Sequence, residues 1–402
     1  MSTDGWSLPE ERLTLAAAVV HVDGFADANR SFDVTEARDA PGRAIAASGK
    51  TAASRPHGAR RHDAPVRTPP HVPPPGPRRA CASRRRHAAS CRRWYGQEGE
   101  ERRLKLSDLE WVADLGEGAS GVVTKVRLRG STAGPAFALK VAHYPDDTDA
   151  GREQDEVLRR ACGAGPPSPY VVRCHAVLRS AGGEPACLLE LMDAGSLHDV
   201  LRRRGGRGGL PEPALAEVAA RCALGLVHLH ARGVAHLDLK PDNLLASARG
   251  DVKIADFGVS RIFSPDGHRS PRVSVAVGTT AYMSPERFAL NAQAGPRGAC
   301  AADVWSLGVT VLELYLGHRP VLPAERTPSW KMLKEAICYG DPPSVPESAV
   351  ASAELRGFVE ACVQKDPRRR ATVPQLLAHP FVARRDVEAS RRALRELIVE
   401  TM

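Results

Sequence analysis

A short stretch in the second half of the chain carries side chains suited to phosphoryl transfer. Residues 236–243 have the sequence His-Leu-Asp-Leu-Lys-Pro-Asp-Asn, and an Asp-Phe-Gly triplet that begins at Asp256 follows. Asp238 can accept the proton of an attacking hydroxyl, and Lys240 can neutralise charge that grows on the moving phosphoryl group. Asn243 and Asp256 offer the hard oxygen ligands that Mg²⁺ prefers. These residue types at this spacing predict phosphoryl transfer from a metal-bound nucleotide.

A glycine-rich loop lies well before this stretch. Glycines stand at positions 116, 118 and 121, and the segments on either side favour strands. Backbone N–H groups can approach a phosphate at glycines, where any side chain would collide with it. The same G-x-G-x-x-G pattern fits a dinucleotide-binding turn or an ordinary hairpin loop, but in a dinucleotide site it should open a helix. The β-branched residues from Val122 onward favour a strand–loop–strand element over a phosphate.

Two helices are expected to position this chemistry. Apolar residues recur at helical spacing from Leu215 to Leu229, which predicts a long amphipathic helix that leads into the catalytic stretch. The longest apolar-rich run of the second half, Val304 to Gly317, carries Glu313. We expect this run to be a buried core helix and expect no membrane span in the chain.

The motifs, in their order along the chain, resemble those of eukaryotic protein kinases. Besides the catalytic stretch and the glycine loop, the matching segments are the lysine strand at 137–142, a hinge-like strand at 187–197, Ser-Pro-Glu at 284–286, Asp-Val-Trp-Ser-Leu-Gly at 303–308 and the closing signature around Arg370. The resemblance implies an α+β bilobal protein kinase fold, with a small β-rich N-lobe and a larger helical C-lobe. It also implies that Arg370 pairs with the buried carboxylate of Glu286.

The resemblance divides the chain into three parts. Residues 104–382 form the kinase domain, and residues 383–402 form a C-terminal helical tail. Residues 1–103 are rich in Pro and Arg and have little apolar surface to bury, so we expect them to be disordered.

The resemblance implies that the chain binds ATP and Mg²⁺. The catalytic residues would be Asp238, Lys240 and Asn243, and the metal ligands would be Asn243 and Asp256. We call the Asp-Phe-Gly triplet at 256–258 the metal loop. The nucleotide would be held by the glycine loop, the lysine strand, the next helix, the hinge and the metal loop, through Leu115, Gly116, Glu117, Gly118, Ala119, Ser120, Gly121, Val123, Ala138, Lys140, Glu153, Glu190, Met192 and Asp256.

Lys140 resembles the kinase lysine that binds the α- and β-phosphates, and that lysine needs a glutamate on the following helix. A lone lysine in such a strand also fits a sheet edge with its head in water. Counting back from Leu158 without gaps lands on Gln154 rather than on an acid. Glu153 and Glu156 lie three residues apart on one helical face, so a small shift in register would supply either. We prefer Glu153.

Within the kinases, Asp-Phe-Gly-Val-Ser-Arg at 256–261 and Tyr-Met-Ser-Pro-Glu-Arg at 282–287 resemble the MAP kinase kinases, the plant-type branch in particular. The resemblance implies an ATP-dependent dual-specificity enzyme that phosphorylates the Thr and the Tyr of a MAP kinase substrate. An upstream MAP kinase kinase kinase is implied as its activator. The alternative is a kinase-fold scaffold or weakly active binding module of the same cascade.

Two departures set the chain apart from this family. Leu237 replaces the arginine that would grip a phosphorylated activation loop, and leucine can make none of those charge-assisted hydrogen bonds. Val275 and Arg269 stand where plant-type members carry phosphoacceptors, although Ser270 and Ser274 lie next to them. The resemblance is closest to atypical plant-type members that lack the phosphosite motif.

The distribution of charge indicates which partners the chain could bind, and its cysteines indicate the compartment. The formal charge of +9 is uneven, because Asp63 is the only acid between Lys50 and Arg93. Nucleic-acid binding ranks below a solvated or docking tail, because only Trp94 and Tyr95 supply aromatics beside this basic run. The nine cysteines form no C-x-x-C pair or zinc-type cluster, which favours reduced thiols and a cytoplasmic protein, with the nucleus as a further location.

Overall fold

The computed structural model describes residues 104–118, 121–131, 134–142, 149–163, 167–180, 184–263, 280–288, 296–321 and 329–402, which belong to one compact unit. Several sequence-based predictions lie outside these residues. They are the disorder of 1–103, the roles of Ala119 and Ser120, and the activation-loop positions Arg269, Ser270, Ser274 and Val275.

The N-terminal lobe is built on a five-stranded antiparallel sheet in the order β1-β2-β3-β5-β4. The strands are β1 (Leu109–Gly118), β2 (Gly121–Leu128), β3 (Phe137–Val141), β4 (Cys174–Arg179) and β5 (Pro185–Glu190). Side chains alternate between the two faces of a strand, so Phe137 and Leu139 join the lobe core with Leu188 while Lys140 points to the opposite face. One face of the sheet therefore packs into the lobe core, and the other face carries Lys140.

Helix α1 (Asp149–Leu158) connects the sheet to the rest of the molecule and continues into a π-helical turn at Arg159–Gly163. Val157 is fully buried and belongs to the core of the C-terminal lobe. Gln154 is buried as well, at 8% exposure. The helix therefore presents an amide, rather than a purely apolar surface, to the elements it contacts.

The C-terminal lobe is mainly helical. Its helices are α2 (Leu197–Arg203), α3 (Glu212–His230), α4 (Pro296–Leu316), α5 (Trp330–Cys338), α6 (Ala353–Cys362), α7 (Val373–Ala378), α8 (Pro380–Ala383) and α9 (Val387–Glu400). Its short strands are β6 (Gly195–Ser196), β7 (Val234–Ala235), β8 (Leu244–Ala246), β9 (Val252–Ile254) and β10 (Arg261–Ile262). They pair as β6-β8-β9 and β7-β10 and hold the catalytic and metal loops. The predicted two-lobed α+β architecture is confirmed.

Helix α4 forms the centre of this lobe. Its stretch Arg297–Leu316 is long and apolar enough to cross a membrane, but 78% of the apolar window is buried inside the protein. Trp305 and Leu312 are fully buried. The predicted core helix is confirmed, and its apolar character is explained by packing on all sides.

The C-terminal helix α9 packs on α3. Leu394, Leu397 and Ile398 are buried in the hydrophobic core of the C-terminal lobe. Glu217 of α3 is 1% exposed, and its carboxylate lies 3.1 Å from Arg385 and 3.4 Å from Arg391. A buried carboxylate needs such charged partners, so both apolar packing and ion pairs attach the C-terminal helix to the lobe.

Candidate active site

The catalytic loop connects β7 to β8 and brings the predicted catalytic residues together. The Asn243 amide nitrogen donates to the backbone oxygen of Asp238 at 2.8 Å and to its carboxylate at 3.0 Å. The Lys240 ammonium lies 3.0 Å from the same carboxylate. Because the nitrogen of the Asn243 amide is used for Asp238, its oxygen is directed elsewhere and suits a metal ion. The loop is thereby organised before any substrate binds.

A buried carboxylate beneath the loop fixes its backbone. Asp303 of α4 is fully buried and accepts hydrogen bonds from the backbone N–H groups of His236 at 2.9 Å and Leu237 at 2.7 Å. It also bonds His230 at 2.8 Å. Leu237 has a φ of +65°, which is uncommon for a branched side chain. The hydrogen bonds from Asp303 hold this otherwise unfavourable turn in place.

The pairing of His230 with Asp303 shifts both pKa values. Burial alone would lower the pKa of His230, but the hydrogen bond and the charge of Asp303, helped by Cys300, raise it to about 10. Burial alone would raise the pKa of Asp303, but the hydrogen bond and charge of His230 hold it below its ordinary value. Both groups are therefore charged at neutral pH. Sequence reasoning missed this pair, because the two residues are far apart along the chain and no local pattern marks them.

The metal loop is attached to both lobes. Asp256 has a φ of +60°, and its carboxylate accepts the N–H of Gly258 at 3.1 Å and pairs with Lys140 at 2.7 Å. His236 bonds the carbonyl oxygen of Ala255, the preceding residue, at 2.9 Å. The predicted metal ligand Asp256 thus lies where the strand lysine and the catalytic loop meet.

The glycine loop forms the end of the β1–β2 hairpin, where Gly118 pairs with Gly121. Gly121 has a φ of +146°, and a Cβ there would lie 2.1 Å from the carbonyl oxygen of Val141, so packing requires glycine. At Gly116 and Gly118 a Cβ would meet nothing within 4 Å. Packing does not explain these two glycines, whereas close approach of a phosphate does. Glu117 and Leu115 are both exposed, the latter at 48%.

One face of the N-lobe sheet carries the predicted nucleotide contacts. Val123 pairs with Lys140, and Ala138 pairs with Leu189, so the side chains within each pair share a face. Cys187 of β5 lies directly opposite Lys140 and so belongs to this face too. Sequence reasoning did not select Cys187, since its place follows only from the strand register.

The predicted hinge residues Glu190 and Met192 both make contacts within the protein. The Glu190 carboxylate is 2.7 Å from the Lys253 ammonium and accepts the N–H of Arg173 at 2.7 Å. Met192 is 9% exposed and packs with Ala255, next to the metal loop. The side chains of both predicted hinge residues therefore serve the structure. The backbone N–H of Glu190 does so too, because it donates to the carbonyl oxygen of Arg173 at 2.9 Å. The adenine contacts that the resemblance implies stay a prediction for the carbonyl oxygen of Glu190 and the backbone of Met192.

Glu153, the predicted partner of Lys140, contacts the segment that follows the metal loop. The carboxylate of Glu153 accepts the N–H of Ile262 at 3.4 Å and lies 3.9 Å from Arg261. Gln154 instead turns inward and donates to the carbonyl oxygen of Gly258 at 3.0 Å. The Lys140 ammonium pairs with the Asp256 carboxylate at 2.7 Å. The residue that faces the metal loop is Gln154, on which the gap-free count lands, and the role of Glu153 toward the nucleotide stays a prediction.

The departure from the kinase pattern at Leu237 has a structural counterpart. Its side chain is 2% exposed and packs in an apolar cluster with Phe263, Ala299 and Ala302. Phe263 follows β10 at the start of the activation segment. At this position, an apolar contact with the segment takes the place of a charged receptor for phosphate.

The ion pair predicted between Glu286 and Arg370 is confirmed. The Arg370 guanidinium makes two hydrogen bonds of 2.6 Å to the Glu286 carboxylate, and its side chain is completely buried. This bidentate geometry is the strong form of the interaction. It joins the Ser-Pro-Glu segment to the end of the domain.

Comparison with known proteins decides the family. Residues 109–382 match the model of the protein kinase domain. The chain is 43% identical to mitogen-activated protein kinase kinase 9 of Arabidopsis thaliana over 285 residues, which cover 69% of this chain and 86% of that protein. It is 40% identical to mitogen-activated protein kinase kinases 7 and 10 of the same plant, over 69% and 70% of this chain and 86% of each relative.

The chain belongs to the MAP kinase kinase family of protein kinases. The residues present fit the family's substrate ATP and its Mg²⁺. Two glycines leave open space above the hairpin, Lys140 supplies a cation, and Asn243 and Asp256 supply hard oxygen ligands.

Proposed function

We propose that the protein is an ATP-dependent dual-specificity kinase that phosphorylates the Thr and the Tyr of a MAP kinase. One observation carries this proposal: Asp238, Lys240 and Asn243 form a hydrogen-bonded set beside a metal loop whose Asp256 is paired with Lys140. The similarity to plant MAP kinase kinases supports the choice of substrate class.

Each residue has a distinct task in this reaction. The Asp238 carboxylate orients the substrate hydroxyl and accepts its proton, and Lys240 compensates the charge that develops on the transferred group. Asn243 and Asp256 would hold Mg²⁺, which, when bound, neutralises phosphate charge. Lys140 positions the α- and β-phosphates, and the backbones of Glu190 and Met192 receive the adenine.

The wider setting follows from the same proposal. The partners are a MAP kinase as substrate and a MAP kinase kinase kinase as upstream kinase, in the cytoplasm and also in the nucleus. A fluorescent fusion of the full chain tests the compartment.

The decisive experiment is phosphate incorporation into a panel of kinase-dead MAP kinases, read separately at the Thr and the Tyr. We expect both residues of at least one target to be modified by the wild type and neither by Asp238→Asn. Incorporation at only one residue type would contradict dual specificity. If the wild type binds a target but is as inert as Asp238→Asn, the scaffold alternative replaces the proposal.

A further inference from the structure

We infer that Gln154 is a positioning residue that holds the metal loop through a neutral hydrogen bond, at the helical position where a carboxylate would be expected to pair with Lys140. The inference rests on the proposed kinase function only for its effect on turnover. Its structural part concerns Gln154, Gly258 and Ser260 and can be measured without any substrate.

The side-chain amide of Gln154 lies between two backbone carbonyl oxygens. Gln154 is 8% exposed, and its Nε2 donates to the carbonyl oxygen of Gly258 at 3.0 Å and lies 3.4 Å from that of Ser260. Both acceptors belong to the segment that follows Asp256. A buried donor between two carbonyl oxygens is well satisfied, and its removal would leave those oxygens without this partner.

The contacts of Gln154 hold the segment that follows Asp256 in place. Gly258 donates its N–H to the Asp256 carboxylate at 3.1 Å, so the amide of Gln154 acts on the metal ligand through one residue. The fully buried Ser260 donates its hydroxyl to the carbonyl oxygen of His236 at 3.1 Å. Gln154 therefore binds the segment at a point where it also joins the catalytic loop.

The two carbonyl oxygens around residue 154 favour glutamine over glutamate. An ionised carboxylate can only accept hydrogen bonds. At this position its oxygen would face the carbonyl oxygens of Gly258 and Ser260, and the contact would be repulsive. The site selects a donor, and the ammonium of Lys140 is paired with Asp256 instead.

Two variants at Gln154 and one control test this inference. Gln154→Met keeps the approximate volume of the side chain but removes the donor. Gln154→Glu keeps the shape and replaces the donor with a carboxylate. Gln364→Met is the control for loss of an amide-to-carbonyl hydrogen bond on the surface, because the Gln364 amide donates to the carbonyl oxygen of Glu360 at 2.9 Å in an exposed position.

The direct readout is amide hydrogen exchange in the nucleotide-free protein. We expect peptides that cover 257–262 to exchange about tenfold faster in Gln154→Met, as befits the loss of one buried hydrogen bond. Peptides that cover 252–255 should be unchanged, and Gln364→Met should behave as the wild type. Unchanged exchange at 257–262, or an equal increase across the lobe, would overturn the positioning role.

The second readout is the dependence on Mg²⁺ and pH. Gln154→Met should raise the Mg²⁺ concentration for half-maximal nucleotide binding and leave binding of ATP in excess chelator unchanged.

Gln154→Glu should be most defective at pH 8 and recover toward pH 6, because a protonated carboxyl can donate again and burial raises its pKa. A Gln154→Glu variant as active as the wild type at pH 8 would show that the position favours an ion pair with Lys140, and the inference would fail. A wild type that binds Mg²⁺ and ATP but phosphorylates no MAP kinase would refute the proposed function alone.

Discussion

The ammonium of Lys140 lies 2.7 Å from Oδ1 of Asp256, which joins a strand of the N-lobe to the metal loop. The two side chains are 17% and 31% exposed, so the pair lies in a partly dry cleft where charges interact more strongly than in water. Nucleotide phosphates and Mg²⁺ would have to take over these charges when they bind. The ion pair therefore holds the Lys140 ammonium close to the proposed phosphate site and the Asp256 carboxylate close to the proposed Mg²⁺ site.

Loss of the Asp238 carboxylate should remove most of the turnover. Asp238→Asn preserves the shape but not the proton acceptor, and a positioned base contributes about 10²–10⁴ in rate. Asp242→Asn in the same loop is the control, because Asp242 is exposed and the change removes the same charge. Steady-state kinetics with one MAP kinase substrate measure both. An Asp238→Asn enzyme with the turnover of the control would refute the catalytic role.

Activity should be largely independent of activation-loop phosphorylation. Leu237 stands where the phosphate-binding arginine would be, and its side chain is buried in an apolar cluster with Phe263. Leucine cannot bind a phosphate. Treatment with phosphatase should leave the specific activity nearly unchanged. Acidic replacements of Val275 and Arg269 together should activate little unless Leu237→Arg is added.

The critical control for this prediction concerns two neighbouring serines. Ser270 and Ser274 stand beside the replaced phosphoacceptor positions and could be displaced acceptors. If Ser270→Ala with Ser274→Ala abolishes activity while the protein keeps its melting temperature, phosphorylation does control the enzyme. The argument from Leu237 would then be wrong.

Breaking the buried pair of Glu286 and Arg370 should strongly destabilise the protein. Arg370→Met leaves the Glu286 carboxylate, 14% exposed, without its bidentate partner, and such a loss costs about 3–5 kcal/mol of unfolding free energy. Adding Glu286→Gln should recover part of the loss. Arg368→Met is the control, because Arg368 makes a similar contact to Asp366 on the surface and should leave stability unchanged. Equal effects in urea unfolding would contradict the prediction.

The pair of His230 and Asp303 should make stability fall with rising pH. An unfolded histidine loses its proton near pH 6.5, whereas folded His230 keeps it up to about pH 10. The contribution of His230 is thus fully present below pH 6.5 and is lost as the pH rises through 10. Urea unfolding of the wild type and of His230→Gln between about pH 7.5 and 9 should differ in slope by close to one proton, about 1.4 kcal/mol per pH unit. Identical slopes would show that His230 does not bind this extra proton.

Removal of the Pro- and Arg-rich N-terminal region should leave the folded domain intact. A chain that begins at Glu101 should keep the melting temperature of the full protein, because the preceding residues have too little apolar surface to join a core. Its affinity for a partner should fall, and more so at low salt, where charges are weakly screened. Calorimetry tests the first statement, and a clear drop in melting temperature would show that the region packs on the domain.

Sequence reasoning reached the residues whose roles depend on local motifs and missed those that depend on register or distant contacts. Residues 236–243 carry their chemistry in neighbouring positions, and the structure brings them together. The preference for Glu153 over Glu156 requires a shift away from Gln154, on which the gap-free count lands. One residue turns a helix by about 100°, and no local signal fixes that rotation. His230 and Asp303 meet only after α3 and α4 pack, so nothing in the sequence near either residue indicates the pair.

The attachment of α9 to α3 has a genetic consequence. A stop codon at any position from 383 to 391 would leave every residue of the matched kinase domain, 109–382, in the translated product. Yet the product would lack Leu394, Leu397 and Ile398, and Glu217 would lose Arg391, and also Arg385 if the stop came before it. The product would carry an intact set of catalytic motifs on a less stable domain, in which Glu217 keeps its pair with Arg221 at 2.8 Å but α3 loses the apolar packing of α9. The stability of the domain therefore depends on residues beyond the end of its sequence match.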